Sequence, residues 1–154
     1  FARGIIEIQG DLLAAPVDVI CHGCNCFHTM NSGVARAIRE KYPEAYNVDR
    51  AHTKKGDTAK LGTFTKTAFS SVTIYNLYAQ WDYGRLQNKV YVEYDKLEKA
   101  LEAMKQDLIV NNRYETSKIG MPRIGCGLAG GNWSVVKQII KRVFQDKDIY
   151  IYSL

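Results

Sequence analysis

The chain has 154 residues, of which 46% are hydrophobic and 24% are charged, and its formal net charge at pH 7 is +5. This length suits one domain with a substantial core, and 12 glycines and 3 prolines are too few for a low-complexity or collagen-like chain. Charged residues interrupt every apolar run, so no segment is long enough to span a bilayer. These features exclude a large multidomain assembly, a membrane-spanning protein and a disordered tail.

The first part of the chain alternates between strand and helix patterns. The pattern predicts a strand over 3–9 and a short, buried, β-branched strand over 17–23. Apolar residues then recur every four positions over 34–42, which predicts a helix that Pro43 terminates. A second, more polar helix follows over 44–53.

The second part continues the alternation and ends on a strand. The predicted elements are two strands over 63–69 and 72–79 joined at Ser70 and Ser71, a helix over 94–111, a strand over 118–124, a helix capped by Asn132 and a strand over 149–153. No repeat or linker interrupts them, so we expect a single domain over 1–154. The alternation predicts a three-layer α/β/α sandwich around a six-stranded, mixed and mostly parallel sheet. Ligands bind such sheets at the carboxyl ends of the strands.

A basic stretch lies between Arg36 and Lys66, where eight basic residues stand against four acidic ones. This stretch fits either a solvated helix face or a surface that attracts an anionic ligand such as a phosphate-bearing nucleotide. A sequence-specific DNA reader is not expected, because the charge is modest and no docking motif is present. A single-stranded RNA binder that uses the ten tyrosines ranks last, since most of them fall at core-like strand positions.

Three of the four cysteines, Cys21, Cys24 and Cys26, stand within six residues, beside His22 and His28. This spacing suggests a zinc site, but a second pair of ligands is missing. A strand would also send alternate side chains of the group to opposite faces of the sheet. We therefore expect reduced thiols and neither a metal nor a cofactor. No secretory signal is visible, and we expect a cytoplasmic monomer.

Two loops carry the signals for ligand binding. The loop over 124–133 holds four glycines and leads into a helix, whose N-terminal N–H groups and dipole favour an anion such as phosphate. The loop over 23–32 likewise ends at a helix start, at Ser32 and Gly33. Asn25 lies just past a buried strand, where its amide fits either of two roles. It can bond the hydroxyl groups of a sugar, or it can cap its own loop.

These features together resemble the macrodomain family, an α/β/α module that binds ADP-ribose, over residues 5–154. The matching segments are GDLL at 10–13, VDVICHGCN at 17–25, SGVARAI at 32–38, MPRIGCGLAGGNW at 121–133 and YIYSL at 150–154. The segments MPRIGCGL and IYSL are similar to the branch that includes the terminal ADP-ribose protein glycohydrolase. NLYAQWDYG and TMNSG are more similar to small phage and bacterial members that process ADP-ribose 1''-phosphate.

The resemblance implies a role for each matched residue. Asp11 would accept a hydrogen bond from the adenine amino group, Leu12 would lie beside the base, and Tyr152 would stack on it. The alternatives are an aspartate that caps its own turn and an ordinary strand tyrosine. Asn25 would hold the hydroxyl groups of the distal ribose. The diphosphate would lie between Ser32, Gly33 and Val34 on one side and Gly125, Gly127, Leu128, Ala129 and Gly130 on the other.

Two departures from the family pattern bear on catalysis. Ala129 stands where the glycohydrolase branch has an aspartate needed to release the sugar. The segment 77–82 lacks the lysine that forms a covalent adduct in that branch. The resemblance therefore does not carry the lysine-dependent route over to this chain.

A metal-independent hydrolase that removes the phosphate from ADP-ribose 1''-phosphate remains the leading hypothesis. Asn25, His28 and Asp82 are its candidate catalytic residues, with His28 as acid or base and Asp82 as the group that orients water. One alternative is a non-catalytic reader of ADP-ribose, either free or attached to a macromolecule. Another is a hydrolase of ADP-ribosyl or O-acetyl-ADP-ribose esters.

Overall fold

The computed structural model describes residues 4–30, 33–68, 72–82, 90–126 and 129–154. Its strands and helices, in chain order, are β1 (Ile5–Gln9), β2 (Val19–Cys24), α1 (Gly33–Lys41), α2 (Pro43–His52), β3 (Phe64–Ala68), β4 (Thr73–Tyr78), α3 (Tyr94–Val110), β5 (Ile119–Met121), α4 (Trp133–Val143) and β6 (Ile149–Ser153). Two short 3-10 turns lie at Leu12–Ala14 and Thr58–Lys60. The predicted link at Ser70 and Ser71 lies outside the described residues.

The six strands form one sheet in the order β1-β6-β5-β2-β4-β3. All neighbouring strands are parallel except β3 and β4, which are antiparallel. Helices α1 and α2 pack on one face of the sheet, and α3 and α4 pack on the other. The predicted three-layer α/β/α sandwich with a mixed, mostly parallel sheet is therefore confirmed.

The strand predicted over 118–124 is shorter in the structure and ends at Met121. Pro122 follows it, and proline has no N–H group to donate to a neighbouring strand. The chain then turns at Ile124 and Gly125, where Gly125 has a φ of +74°. This early end places the glycine-rich loop directly at the carboxyl edge of the sheet.

Local signals set the helix ends as predicted. Pro43 occupies the first turn of α2, so α1 ends just before it. Asn132 caps α4, because its side-chain oxygen accepts a hydrogen bond from the N–H of Ser134 at 2.9 Å. The predicted apolar stripe of α4 is buried, and its members are Val136, Ile139, Ile140 and Val143.

The central strands β2 and β4 have one apolar face and one face whose polarity changes along its length. The face toward α3 and α4 is apolar and includes Val19, Cys21, Tyr75 and Leu77. On the other face the pairs in register are Ile20 with Ile74, His22 with Asn76 and Cys24 with Tyr78. This second face is therefore apolar at its start and polar at its carboxyl end, beneath the loops that the sequence singles out.

The cysteines divide between the two faces, as the alternation of a strand requires. Cys21 packs against α3 and α4, while Cys24 and Cys26 lie in a separate cluster with Leu61 and Tyr78. All four cysteines of the chain are free thiols. Among the described residues, no three His, Cys, Asp or Glu side chains are grouped so that they could hold a metal ion. No helix in these ranges has the length and apolar character needed to cross a membrane.

Candidate functional site

A cavity of about 900 Å³ opens at the carboxyl ends of the parallel strands. It runs along the sheet edge from the ends of β1 and β6 to the ends of β2 and β4. Its walls are the turn after β1, the loop after β2, the start of α1, the residues after β4 and β5, and the C-terminal residues. This is the edge at which ligands bind open α/β sheets.

One end of the cavity brings together Asp11, Leu12 and Tyr152, as the sequence predicts. Asp11 also caps its own 3-10 turn, because its carboxylate accepts a hydrogen bond from the N–H of Leu13 at 3.0 Å. A Cβ atom added at Gly10 would lie 3.8 Å from the Tyr152 ring, so the turn passes directly beside that ring. A planar aromatic group fits this end, where a ring face and an acceptor carboxylate adjoin.

The middle of the cavity lies between the first turn of α1 and the loop after β5. Gly33 and Val34 line one side, and Gly125 and Ala129 line the other. Gly33 has a φ of +59° with open space around its Cα, so the backbone conformation, and not crowding, favours glycine there. The unpaired N–H groups at the start of α1 suit an anion at this point.

The glycine-rich loop closes on itself at this wall. The N–H of Gly131 donates to the carbonyl of Gly125 at 2.7 Å. A Cβ atom at Gly131 would lie 2.5 Å from that carbonyl oxygen, so only glycine permits this approach. Gly130 is not among the described residues that line the cavity, and its contact with a diphosphate stays a prediction. Ser32, Gly127 and Leu128 lie outside the described residues.

Asn25 lines the cavity past the end of β2, and its side chain also holds its own loop. Its Oδ1 accepts a hydrogen bond from the N–H of Phe27 at 2.8 Å, and its Nδ2 donates to Thr29 Oγ1 at 2.7 Å. Both interpretations of this residue therefore find support in the structure. The loop-capping bonds leave one N–H of the amide and one lone pair of Oδ1 for a ligand.

His28 does not join Asn25 in the cavity formed by the described residues. The backbone of His28 is left-handed, with a φ of +58°, and its ring lies beside α2. His28 Nε2 is 2.7 Å from the hydroxyl oxygen of Thr53. Burial is the main cause that lowers the pKa of His28, which keeps the ring neutral at neutral pH. The proposed acid or base role receives no support from this geometry.

Asp82 is likewise not among the described residues of the cavity wall, which instead include Ala79 and Gln80. The side-chain amide of Gln80 donates to the backbone carbonyl of Asp82 at 2.9 Å. The structure therefore does not bring the predicted catalytic residues Asn25, His28 and Asp82 together. Asn25 and His28 are three residues apart in the loop after β2 and Asp82 follows β4, but of the three only Asn25 lines the cavity.

The inner end of the cavity contains Asp49, which the sequence analysis did not select. Asp49 lies on α2 and is 1% exposed. Its Oδ1 accepts a hydrogen bond from the Tyr78 hydroxyl at 2.6 Å, and the Nζ of Lys60 lies 3.9 Å from the same oxygen. Its Oδ2 has no hydrogen-bond partner among the described residues. A buried carboxylate oxygen without a partner is costly, so Oδ2 calls for a physical explanation.

Thr53 links Asp49 to the loop after β2. The Thr53 hydroxyl donates to the backbone carbonyl of Asp49, so its oxygen is left to accept other bonds. It accepts from Lys60 Nζ at 2.9 Å and from His28 Nε2 at 2.7 Å. His28 thus braces the far side of Asp49 and holds its loop against α2.

Asn76 fixes the tautomer of His22, which also lines the inner end. The amide of Asn76 donates to the Ala45 carbonyl at 2.9 Å and to Thr65 Oγ1 at 3.0 Å. Its Oδ1 must then accept, and His22 Nε2 lies 2.6 Å away, so we assign the ring proton to Nε2. Both ring nitrogens lie 3.7 Å from the Cys24 sulfur, and with the proton on Nε2 only Nδ1 is left to accept from the thiol. Burial lowers the pKa of His22 to about 4, so this ring is neutral at pH 7.

The thiols near the cavity are poor nucleophiles. Burial is the main cause that raises the pKa of Cys24 well above its ordinary value and the pKa of Cys26 to about 11. Burial also raises the pKa of Cys126. A thiolate is the reactive form of cysteine, and all three groups remain protonated at neutral pH.

The basic stretch is not one solvated face. Arg36 pairs with Glu40 at 3.0 Å in solvent, and Arg39 donates to the carbonyl of Thr29 at 3.0 Å. Lys60 is only 7% exposed and faces the buried Asp49. These three basic residues therefore have different roles: Arg36 forms an exposed ion pair, Arg39 supports a loop and Lys60 is a buried counter-charge.

Together these elements define an α/β/α module with an elongated, nucleotide-sized cleft at the carboxyl edge of its sheet. The model of the Macro domain family matches residues 21–140. The chain therefore belongs to the macrodomain family, as the resemblance of its motifs suggests.

Relatives of known sequence support the same assignment. An uncharacterized 17.5 kDa protein of Enterobacteria phage T4 is 34% identical over 94% of this chain and 92% of its own length. The ADP-ribose glycohydrolase OARD1 of Homo sapiens is 30% identical over 96% of this chain and 88% of its own. An ADP-ribose 1''-phosphate phosphatase of Aspergillus oryzae is 46% identical, but over 33% of this chain and 26% of its own length.

Solved structures show the same architecture. A protein from Bacteroides thetaiotaomicron superposes with a TM-score of 0.81 at 27% identity, and the match covers 100% of both chains. Thermosipho africanus DarTG, solved in complex with ADP-ribose, superposes with a TM-score of 0.80 at 18% identity over 97% of this chain and 41% of its own. At that identity the second likeness concerns the fold alone.

Proposed function

We propose that this macrodomain binds ADP-ribose along the cavity at the carboxyl edge of its sheet. The observation that carries the proposal is one continuous cavity that joins Asp11 and Tyr152 to Asn25 past the start of α1 and the Gly125 loop. The adenine would lie at Asp11 and Tyr152, the diphosphate in the middle, and the distal ribose at Asn25. The relatives named for ADP-ribose chemistry support this assignment.

We further propose that the chain hydrolyses ADP-ribose 1''-phosphate. In this reaction a water oxygen attacks phosphorus, the bond between phosphorus and the 1'' oxygen breaks, and that oxygen takes up a proton. The products are ADP-ribose and inorganic phosphate. Asn25 would hold the ribose in place, and the N-terminus of α1 would favour the negative charge of the phosphates. The phosphatase of Aspergillus oryzae supports this choice over its matched third of the chain.

The two residues that the resemblance assigns to the lysine-dependent glycohydrolase route are absent from the matching positions of this sequence. Ala129, which stands where the resemblance implies an aspartate, lines the cavity. Residues 77–82, which run from the end of β4 to the loop beyond it, contain no lysine. A likeness to a glycohydrolase over nearly the whole chain therefore supports the binding function more than that reaction.

A binding module without turnover is the second candidate function. The separation of Asn25, His28 and Asp82 favours it, because the cavity lacks the acid–base set that the sequence predicts. Such a module would bind free ADP-ribose or ADP-ribose attached to a macromolecule. Phosphate release distinguishes it from the hydrolase.

Calorimetric titration with ADP-ribose, followed by a phosphate-release assay on ADP-ribose 1''-phosphate, tests both candidates. We expect binding by the wild type and loss of binding in Ala129→Glu, which introduces a carboxylate beside the diphosphate position. Val110→Glu is the matched control, since Val110 is 78% exposed at the end of α3 away from the cavity. Undiminished binding by Ala129→Glu contradicts the proposed position of the diphosphate.

The phosphate-release arm separates catalysis from recognition. We expect steady release by the wild type and none by Asn25→Ala. Binding of ADP-ribose without any release by the wild type would support the binding module. Failure of the wild type to bind ADP-ribose would overturn both candidates.

A further inference from the structure

The unsatisfied oxygen of Asp49 provides a buried hydrogen-bond acceptor at the inner end of the cavity. Tyr78 and Lys60 both approach Oδ1, at 2.6 Å and 3.9 Å, and leave Oδ2 with no partner among the described residues. The carboxylate is 1% exposed and the residue lines the cavity. A buried acceptor without a partner, on a residue that lines the cavity, is the place where a ligand donor would be satisfied.

Asp49 lies at the opposite end of the cavity from the adenine position. Tyr152 belongs to β6, whereas the bond from Tyr78 ties Asp49 to the end of β4. Three strand spacings separate β6 from β4, which is roughly 14 Å at about 4.8 Å for each spacing. Asn25 follows β2, which lies beside β4. The group that meets Asp49 is therefore the distal sugar of a ligand whose adenine lies at Tyr152.

The chemistry of the surroundings restricts the partner further. An ionised carboxylate only accepts hydrogen bonds, so its partner must donate. A phosphate oxygen is an acceptor of the same charge sign and would be repelled. The neighbouring His22 and Cys24 side chains are neutral, and Lys60, the cation paired with Asp49 among the described residues, lies nearer Oδ1, at 3.9 Å. A neutral hydroxyl group meets these requirements.

We propose that Asp49 Oδ2 accepts a hydrogen bond from a hydroxyl group of the distal ribose and so selects ligands that carry this sugar. This proposal rests on the proposed binding of ADP-ribose and names the residue that recognises its far end. Less than 1 Å² of Oδ2 is accessible, so adjoining side chains must move slightly to admit the hydroxyl. The bond then forms in a site closed to bulk water, where charge-assisted bonds are strong.

Comparison of ADP-ribose with ADP tests the proposal, because ADP lacks the distal ribose and ends in a terminal phosphate instead. Calorimetry on the wild type should show tighter binding of ADP-ribose than of ADP. Asp49→Asn keeps the shape of the side chain but removes its charge. We expect its affinity for ADP-ribose to fall about tenfold while its affinity for ADP changes less than twofold.

Asp107→Asn is the matched control for the loss of an aspartate charge. Asp107 also accepts a hydrogen bond from a tyrosine of β4, at 2.6 Å from Tyr75, and pairs with Lys66 at 2.7 Å. It lies on α3, on the other side of the sheet, and does not line the cavity. We expect this variant to keep the preference of the wild type for ADP-ribose over ADP.

A second variant keeps the test decisive if Asp49→Asn does not fold. Asp49→Ala combined with Lys60→Met removes both buried charges, so neither is left uncompensated. It should lose the preference for ADP-ribose as the single variant does. Equal weakening of both ligands, or an unchanged preference in the folded variant, would overturn the proposal. A wild type that binds neither ligand would instead refute the proposed function itself.

Discussion

Two trios of tyrosine, aspartate and lysine flank strand β4, one on each face of the sheet. The inner trio consists of Tyr78, Asp49 and Lys60, and the outer trio consists of Tyr75, Asp107 and Lys66. In both trios the tyrosine hydroxyl lies 2.6 Å from a carboxylate oxygen. The residue types and the tyrosine–carboxylate bonds are therefore the same, although the Tyr78 hydroxyl also lies 2.9 Å from Thr65 Oγ1, and the surroundings of the two carboxylates differ.

The difference lies in burial and in the distance of the lysine. The side chain of Asp107 is 22% exposed and that of Lys66 is 40% exposed, and their charged atoms lie 2.7 Å apart. The side chains of Asp49 and Lys60 are 1% and 6% exposed, and their charged atoms lie 3.9 Å apart. The shorter ion pair is thus in water, where it contributes little, and the longer one is buried. Ion-pair distance alone is therefore a poor guide to energy.

Substitution of each lysine should give the largest difference between the trios in the free energy of unfolding. Lys60→Met leaves the carboxylate of Asp49 buried without a counter-charge, so we expect a loss of about 3 kcal/mol in the free energy of unfolding. Lys66→Met exposes a carboxylate that water already reaches, so the loss should stay below about 1 kcal/mol. Urea denaturation at pH 7 measures both values. Equal losses in the two variants would contradict the assigned role of burial.

Acid should lower the free energy of unfolding of the protein through the buried His22, which lies on the same side of the sheet as Asp49. Burial lowers the pKa of His22 to about 4, against an ordinary value of 6.5. Below about pH 6.5 the unfolded chain binds a proton that the folded chain excludes, so stability is fully present above that pH and falls toward pH 4. Between pH 7 and pH 5 we expect a loss of about 2 kcal/mol in the free energy of unfolding.

His22→Gln is the control for this pH dependence. Glutamine retains an N–H donor for Asn76 but does not titrate, so most of the decrease between pH 7 and pH 5 should disappear. A smaller decrease should remain, because the pKa of His28 is lowered in the same direction. An unchanged pH dependence in the variant would show that His22 is not the titrating group.

The fold was predictable because its signals are local and repeated. Asn132 and Pro43 set helix ends through their own backbone chemistry, and the apolar stripes predict which faces are buried. The resemblance to the macrodomain family implied that Asp11 and Tyr152 share one end of the cavity, and the glycine-rich loop pointed to its middle. Strand ends were less predictable: the apolar pattern extended β5 to 124, but the strand ends at Met121, where Pro122 has no N–H group to donate to a neighbouring strand.

The inner end of the cavity was not predictable, because it depends on contacts between distant segments. Asp49 lies in a helix whose polar sequence predicts exposure to solvent, and only the folded chain places Tyr78 and Lys60 around it. One signal was present: Asp49 follows Ala45 by four residues, which puts both on the same helix face, and both are buried. His28 does not line the cavity, since its backbone is left-handed and its ring lies against Thr53, and its catalytic role stays a prediction.

Removal of each tyrosine hydroxyl should give a smaller difference between the trios in the free energy of unfolding. Tyr78→Phe takes the hydrogen-bond donor from Oδ1 of a carboxylate that is closed to water, so we expect a loss of about 1.5 kcal/mol in the free energy of unfolding. Tyr75→Phe leaves Asp107 with Lys66 and partial access to water, and its loss should be about 0.5 kcal/mol. Chemical denaturation of both variants measures the difference. A larger loss in Tyr75→Phe than in Tyr78→Phe would contradict the assignment of the more buried carboxylate to Asp49.

Salt should produce the smallest effect and should act on the outer trio alone. Mobile ions screen exposed charges, with a Debye length of about 3 Å at 1 M ionic strength, but they do not enter the site around Asp49. A double-mutant cycle for Lys66 and Asp107 should therefore give a coupling of about 0.5 kcal/mol at low salt that vanishes in 1 M sodium chloride. The cycle for Lys60 and Asp49 should keep its coupling at both salt concentrations. If salt abolished the inner coupling as well, water and ions would have to reach Asp49, and the closed site required for its selective bond to a ribose hydroxyl would not exist.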